Sequence, residues 1–240
     1  MKNIVYILFL FIFFSCDDAL FDKGPVVTKQ IDTDDFREIY VEDIFDIYLL
    51  QDTMCKISVK GGSNVISNIQ FEVDADGKLT ISDSNTNRWS RDYEHAELYI
   101  SVDTLYFLRL NQPSYVYCVD TLITPELKIF SIADYTDIHV KLNCNNCYVV
   151  NSGTSGGYIS IEGNTNSFSF WARAALRIDA LNFISKYVTL KSESIGDCKV
   201  NVSKQLSVEI LNSGDVFYTG NPDTIIYINE QAKDKLFKVN

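Results

Sequence analysis

Helix signals are almost absent from this 240-residue chain, and several residue types that support common chemistries are scarce. Only two histidines, two methionines and four prolines occur. Two imidazoles, His95 and His139, are too few for a histidine metal centre, and His139 between Ile138 and Val140 reads as an outward strand residue. No Gly-rich loop precedes a helix, so no phosphate cradle is present. Lysine and arginine number 21 against 32 aspartates and glutamates, a formal net charge of −11. That balance disfavours phosphate backbones, and nucleic acid is excluded from the expected partners. No apolar run approaches the roughly 20 residues of a membrane-spanning helix.

Cysteine is also sparse. Apart from Cys16, the chain holds Cys55, Cys118, Cys144, Cys147 and Cys198, an odd set without the density of a disulfide scaffold. The spacing Cys144-Asn145-Asn146-Cys147 suits a redox couple or half of a zinc site. Neither context is complete: no βαβ unit surrounds the pair, and two further soft ligands are missing. The alternation places it in a turn between residues 138–142 and 148–150, as a structural pair. No cofactor and no metal are expected.

What the chain does have begins at its N-terminus. Lys2, an apolar run from Ile4 to Phe14 and the junction Ser15-Cys16 form the regions of a secretory signal. A cysteine just after a small residue can carry a diacylglycerol and an acyl group. The segment resembles a bacterial lipoprotein signal, with Phe13 where leucine is commoner. Residues 1–15 are then a cleaved signal, Cys16 the lipidation site and the membrane a partner through that anchor. Asp17-Asp18 resemble the surface-export signal of Bacteroidetes lipoproteins, although acidic residues also simply solvate a linker. Residues 16–35, with Gly24-Pro25 inside, read as a flexible tether.

Beyond the tether, period-two strand signals are nearly continuous: residues 36–41, 45–49, 56–59, 71–73, 79–81 and 98–102. Asp74-Ala75-Asp76-Gly77 imitates the start of a calcium loop but lacks the distal glutamate, and Asp-Gly is a hairpin turn. Residues 83–94 form the longest polar interruption, where Trp89 and Tyr93 beside Arg88 and Arg91 are candidate ligand contacts. From residue 105 onward, turn-to-strand junctions recur every 18 to 22 residues or so, the mark of a stacked solenoid. The expected fold is all-β, a right-handed parallel β-helix or β-solenoid over residues 36–228, followed by a tail at 229–240. Ten rungs about 4.8 Å apart would give a rod on the order of 45 Å long.

The run from Phe36 to Val59, Asn64-Val65-Ile66, Leu79-Thr80-Ile81, the repeated Ser-Gly phrases and the closing Gly214-Asp215-Val216-Phe217-Tyr218-Thr219-Gly220-Asn221-Pro222 resemble the head GIN domain of Bacteroidetes lipoproteins. That resemblance covers residues 35 to 228 and implies a β-solenoid and an adhesin-like role, with no catalytic residues to carry over. The central repeats are degraded: Gln112-Pro113-Ser114-Tyr115 and Ala172-Arg173-Ala174-Ala175 stand where Ser-Gly phrases are expected.

An envelope lipoprotein with a binding module is therefore expected, on the outer membrane and facing the cell surface or periplasm. Its ligand class is a glycan or an envelope or host surface protein. Tyr115, Tyr117, Tyr135, Tyr158 and Trp171 are the candidates for an outward aromatic strip. Two alternatives stand beside it: a polysaccharide-active β-helix enzyme and a passive envelope scaffold or stress accessory. For an enzyme, Arg173, Arg177 and Asp179, with Asp134 and Asp137 on another coil, are the nearest constellation, and a solvated salt-bridged face explains them without chemistry. Catalysis is not expected.

Overall fold

The computed structural model describes residues 23–84, 95–152 and 156–239. The chain is 68% strand and 4% helix and winds into a β-solenoid of about six turns, fewer than the ten rungs expected from the period. Alternation explains the strands. In β2 (Glu38–Val41) and β3 (Asp46–Gln51), Ile39, Val41, Ile47 and Leu49 point inward at 0% exposure, while Tyr40 and Tyr48 point out. Each buried Ile or Leu contributes about 1.5–3 kcal/mol of transfer free energy, enough to hold the register against a one-residue slip.

The second half of the solenoid is sequential. β10 (Leu122–Ser131), β11 (Tyr135–Asn151), β12 (Gly156–Ser194), β13 (Cys198–Ile210), β14 (Val216–Thr219) and β15 (Thr224–Tyr227) all pair in parallel. Ile138 lies beside Ile159, Ile178 beside Cys198, and Cys198 beside Val216, offsets of 21, 20 and 18 residues. The period read from the sequence is this offset. Tight corners keep the coils in step. Gly163, at φ +114°, and Gly220, at φ +89°, each come so close to the previous coil that a Cβ would lie 2.2 Å from the carbonyl oxygen of Leu142 or Val202. At the degraded phrase, Ala174 adopts φ +56° where a glycine would be at ease. Its carbonyl accepts hydrogen bonds from Ile195 N (2.7 Å) and Ser194 Oγ (3.1 Å), so the corner survives the loss of the Ser-Gly phrase.

The first half is interleaved. β7 (Glu97–Val102), β8 (Phe107–Leu110) and β9 (Ser114–Cys118) do not stack in chain order. β3 is flanked by β7 and β9, and β2 by β6 (Lys78–Asp83) and β8. The chain thus lays down β2 and β3, builds outward through β4 (Lys56–Gly62), α1 (Ser63–Ile66), β5 (Ile69–Val73) and β6 to β7, and then crosses back to β8. The crossing is fastened to the coil beneath it: Gln51 Nε2 donates to Asp103 O at 2.6 Å and Tyr106 N to Arg37 O at 2.8 Å. Antiparallel pairs close this end, β4 on β7, β1 (Val26–Ile31) on β4, and β5 on β6 through the Asp74–Lys78 turn, where Gly77 has φ +78°.

Three local expectations change. Residues 26–31, read as tether, form the edge strand β1, with all six positions in register against β4. Residues 229–240, read as a tail, contain α2 (Gln231–Lys235), which buries Ala232, and β16 (Leu236–Lys238), paired in parallel with β14. Cys144 and Cys147 lie inside β11 rather than in a turn: the inward polar positions Thr124 and Thr165 flank Cys144 on adjacent coils. Both thiols are free, and Cys147 is wholly buried. Burial pushes both thiols up, which is the opposite of an activated redox cysteine.

Candidate functional site

Because the first half is interleaved, tyrosines distant in sequence become neighbours. On the ladder β7-β3-β9-β11-β12, Tyr99 lies beside Tyr48, Tyr48 beside Tyr117, and Tyr117 beside His139. The adjacent outward row runs Glu97, Asp46, Tyr115, Asp137, Tyr158. The rings make a continuous ridge. Tyr48 and Tyr99 stack at 4.8 Å with 13° between planes, and Tyr48 meets Tyr115 and Tyr117 edge-on at 6.3 and 6.4 Å. His139 then bridges Tyr115 at 5.8 Å to Tyr158 at 5.6 Å.

Ring contacts, and the Lys141 ammonium 6.0 Å from the Tyr117 ring centre, cover part of the π-faces. Tyr99 directs its hydroxyl to Glu97 Oε2 at 2.6 Å, which pushes its pKa up to about 12. Among the described residues, no such bond holds the hydroxyls of Tyr48, Tyr115, Tyr117 or Tyr158. Burial, with nearby carboxylates, raises Tyr48 and Tyr115, so these phenols stay protonated and remain donors. Carboxylates flank the ridge: Asp46 Oδ1 meets His95 Nδ1 at 3.2 Å, while Asp137 Oδ1 lies 3.0 Å from His139 Nε2 in a geometry that makes no hydrogen bond. Glu97 accepts from Lys60 Nζ at 2.8 Å, and these hydrogen bonds hold its carboxyl below the usual range.

The ridge ends in a cavity of about 410 Å³ at the interleaved end of the solenoid, with Asp46, Tyr48, Lys60, His95 and Glu97 on its walls and Val26 of the edge strand on its rim.

The other ladder, β6-β2-β8 and the ends of β10 to β13, has a different outward surface. There the aromatic faces carry cations: Lys78 lies over Tyr40 (4.5 Å), Arg109 over Phe130 (5.3 Å), and both Arg173 (4.9 Å) and Lys191 (5.2 Å) over Trp171. A shallow apolar groove of about 280 Å³ runs past Tyr148, Val150, Trp171 and Ile228.

Trp89, Tyr93 and Cys16 lie outside the described residues. Tyr158 is on the ridge. Tyr135, 54% exposed, opens β11 on the same ladder without a ring contact among the described residues. Trp171 belongs to the other ladder, beside Val150, so the structure does not join it to Tyr158 in one strip. Sequence reasoning missed Tyr48 and Tyr99, and gave His139 as an outward strand residue without placing it among the aromatics. All three sit at alternate outward positions of clean strands, a signal that was available. Their adjacency was not, because it depends on the order in which coils stack.

The enzyme constellation is dispersed into ion pairs. Arg173 Nε meets Glu193 at 3.3 Å, Asp179 meets Lys199 Nζ at 3.3 Å, and Asp137 lies on the tyrosine ridge beside His139. Among the described residues, no group of three or more His, Cys, Asp or Glu side chains converges as metal ligands would.

Residues 35–222 match the family model described as "Putative auto-transporter adhesin, head GIN domain". None of the curated proteins matches the chain. Among solved structures, a putative adhesin from Bacteroides fragilis NCTC 9343 superposes with a TM-score of 0.76 at 20% identity, over 89% of this chain and 93% of that one. A putative adhesin from Parabacteroides distasonis ATCC 8503 gives 0.63 at 17% identity, over 90% and 98%. A further Parabacteroides distasonis structure, named a putative lipid binding protein, gives 0.64 at 17% identity, over 90% and 98%. At these identities the likeness is one of fold.

Proposed function

From the premise that this chain belongs to the head GIN domain family, we propose that it is a non-catalytic, adhesin-like binding module of the cell envelope whose ligand is a neutral glycan held along the tyrosine ridge. The family model and two of the structural neighbours carry the name of putative adhesins. The observation that carries the reading is the row of outward phenol hydroxyls on one rigid ladder. Coil spacing of about 4.8 Å sets Tyr48 and Tyr117 on neighbouring rungs at a distance close to the size of a sugar ring. Recognition runs through hydrogen bonds from ring edges rather than through stacking on ring faces. Flanking Asp46, Glu97 and Asp137 make the ridge unfavourable for anionic glycans.

In this proposal Cys16 is the lipid anchor at the outer membrane, and the signal before it is removed. Val26 lies ten chain steps after Cys16, so the solenoid would stand within about 35 Å of the bilayer surface. Changing Cys16→Ser is expected to move the protein from the membrane to the soluble fraction. If the variant remains in the membrane fraction, the anchor assignment fails.

The binding test uses the full chain on an array of neutral and acidic glycans. Replacing Tyr48, Tyr117 and Tyr158 together by Phe keeps the ring contacts and removes three donors. At about 0.5–1.5 kcal/mol per hydrogen bond, affinity for the captured glycan should fall at least tenfold while the unfolding midpoint stays put. Unchanged affinity would remove the ridge from the binding face.

A second reading has the Trp171 groove in its favour, together with the structural neighbour named as a lipid binding protein. An acyl chain fits a groove of that polarity. Capture of a lipid probe that is lost in Trp171→Ala and kept in the triple Tyr→Phe variant would transfer the assignment to that groove.

A further inference from the structure

We infer that the cavity at the interleaved end of the ridge is a terminal subsite that takes the last, uncharged hexose of the glycan, so that the module reads a chain end rather than a chain interior. The inference rests on the ridge reading and adds to it where the ligand stops and what its last residue must be.

Continuity is the first argument. Asp46 and Tyr48 belong both to the ridge and to the cavity, since Asp46 lies beside Tyr115 and Tyr48 beside Tyr117. A ligand lying along the hydroxyls therefore runs into the cavity without changing direction. Beyond Tyr99 the ladder turns antiparallel through β4 to β1, and Val26, 56% exposed on that edge strand, stands at the cavity's rim. The described ladder ends at this strand.

Size and chemistry are the second. A volume of about 410 Å³ lies at the low end of the range of ligand pockets and takes the one or two sugar rings of a chain end, not a long chain. The walls mix acceptors, donors and apolar surface. Asp46, with one carboxylate oxygen facing His95, has its second oxygen to accept from hydroxyls. The Lys60 ammonium is held in place by Glu97, which Tyr99 braces from its other oxygen. Val26, Val65 and the Tyr48 edge supply an apolar side. A pyranose, with hydroxyls that both donate and accept around a C–H face, matches that mixture. Asp46 and Glu97 are balanced by Lys23 and Lys60, so the lining carries no net charge and offers an uncharged sugar its best match.

The experiment compares full-length protein with Val26→Trp, an exposed edge substitution that fills the cavity, and with Asp46→Asn. The probes are the neutral oligosaccharide captured on the array, the same oligosaccharide oxidised to a uronic acid at its terminal residue, and the corresponding methyl hexoside as competitor. Expected are competition by the methyl hexoside at millimolar concentration, at least tenfold weaker binding of the oxidised chain, and a similar loss for the neutral chain in Val26→Trp. Equal affinity of Val26→Trp and the native protein, or equal affinity for both chain ends, overturns the terminal subsite. In either case a loss in the triple Tyr→Phe variant shows the ridge reading intact. If that variant also binds normally, or the array captures no glycan, both readings fall together. An unchanged thermal midpoint for Val26→Trp separates a filled cavity from an unfolded edge.

Discussion

Residues 36–118 and residues 122–228 are built from the same alternating strands and share one continuous core, but they reach it by different routes. In the later region each coil lies on the one before it, and register is held by corners so tight that only glycine fits at two of them. In the earlier region a coil is inserted between two others, and register is held by ladders on both of its sides. The later arrangement makes a regular wall. The earlier one brings Tyr99, Tyr48 and Tyr117, from three separate stretches of chain, onto consecutive rungs and leaves a cavity beside them. Regular succession yields repetition, whereas interleaving yields a local site.

The largest expected contrast comes from one kind of substitution made in both regions. Gly163→Ala places a Cβ 2.2 Å from Leu142 O, whereas at Gly77 the nearest atom is 3.8 Å away. Urea unfolding should show a loss of about 3 kcal/mol or more at Gly163 and about 1 kcal/mol at Gly77, the ordinary cost of a left-handed alanine. Equal losses would mean that the sequential corners are not sterically set.

Next in size is a response to alkali that should not distinguish the regions. Cys118, in the interleaved part, and Cys198, in the sequential part, are both pushed up to about 12 by burial, from an ordinary 9.0. A raised folded value means the neutral thiol is favoured by folding. The associated stability is complete below pH 9 and is lost as pH rises toward 12, by about 1.4 kcal/mol per unit for each thiol. Stability measured between pH 8 and 10.5 should fall less steeply in Cys118→Ala and in Cys198→Ala, by similar amounts. A change in slope for only one of them would show that one region opens before the other.

Smaller again is a gain. Ala174→Gly relieves a left-handed alanine at φ +56° and should stabilise by about half a kcal/mol after the added freedom of the unfolded chain is subtracted. A loss in thermal midpoint would contradict the strain. The smallest effect belongs to exposed ion pairs: Lys199→Ala, which removes the 3.3 Å contact with Asp179, should cost less than about 0.5 kcal/mol by the same unfolding assay. A loss above 1 kcal/mol there would show that the later wall depends on its surface charges.

Legibility followed the same division. The period from residue 105 onward could be read because each coil repeats the same offset, as the pairing of Ile138 with Ile159 and Ile178 with Cys198 shows. Stacking order in residues 36–118 could not be read from alternation, since Ile47 looks equally buried whether β4, β7 or β9 lies beside β3. β1 escaped notice because Val26-Val27-Thr28-Lys29-Gln30-Ile31 is an edge strand with almost every side chain exposed, and it buries too little to leave a pattern. Cys144 and Cys147 were read as a turn because Asn145 and Asn146 carry turn propensity. In the coil those asparagines simply point outward, and Asn145 Oδ1 accepts from Asn166 Nδ2 at 3.1 Å. Tyr158 was legible as an outward aromatic, but its neighbours were fixed by topology.

The inserted coil also governs how the molecule bears a pull. Tension entering through the residues before Val26 meets β1 first, and β1 can peel from β4 one hydrogen bond at a time. The next strand along the chain is β2, which is bonded to β6 on one side and β8 on the other, as β3 is to β7 and β9. Unravelling there requires two ladders to give way together, with Gln51 and Tyr106 fastening the crossing strand over them. A sequential solenoid pulled from its end sheds coils in turn, like rope off a drum. In this one the first full coil is held under its successor, so a pull on the N-terminal end meets the part of the solenoid that does not unwind.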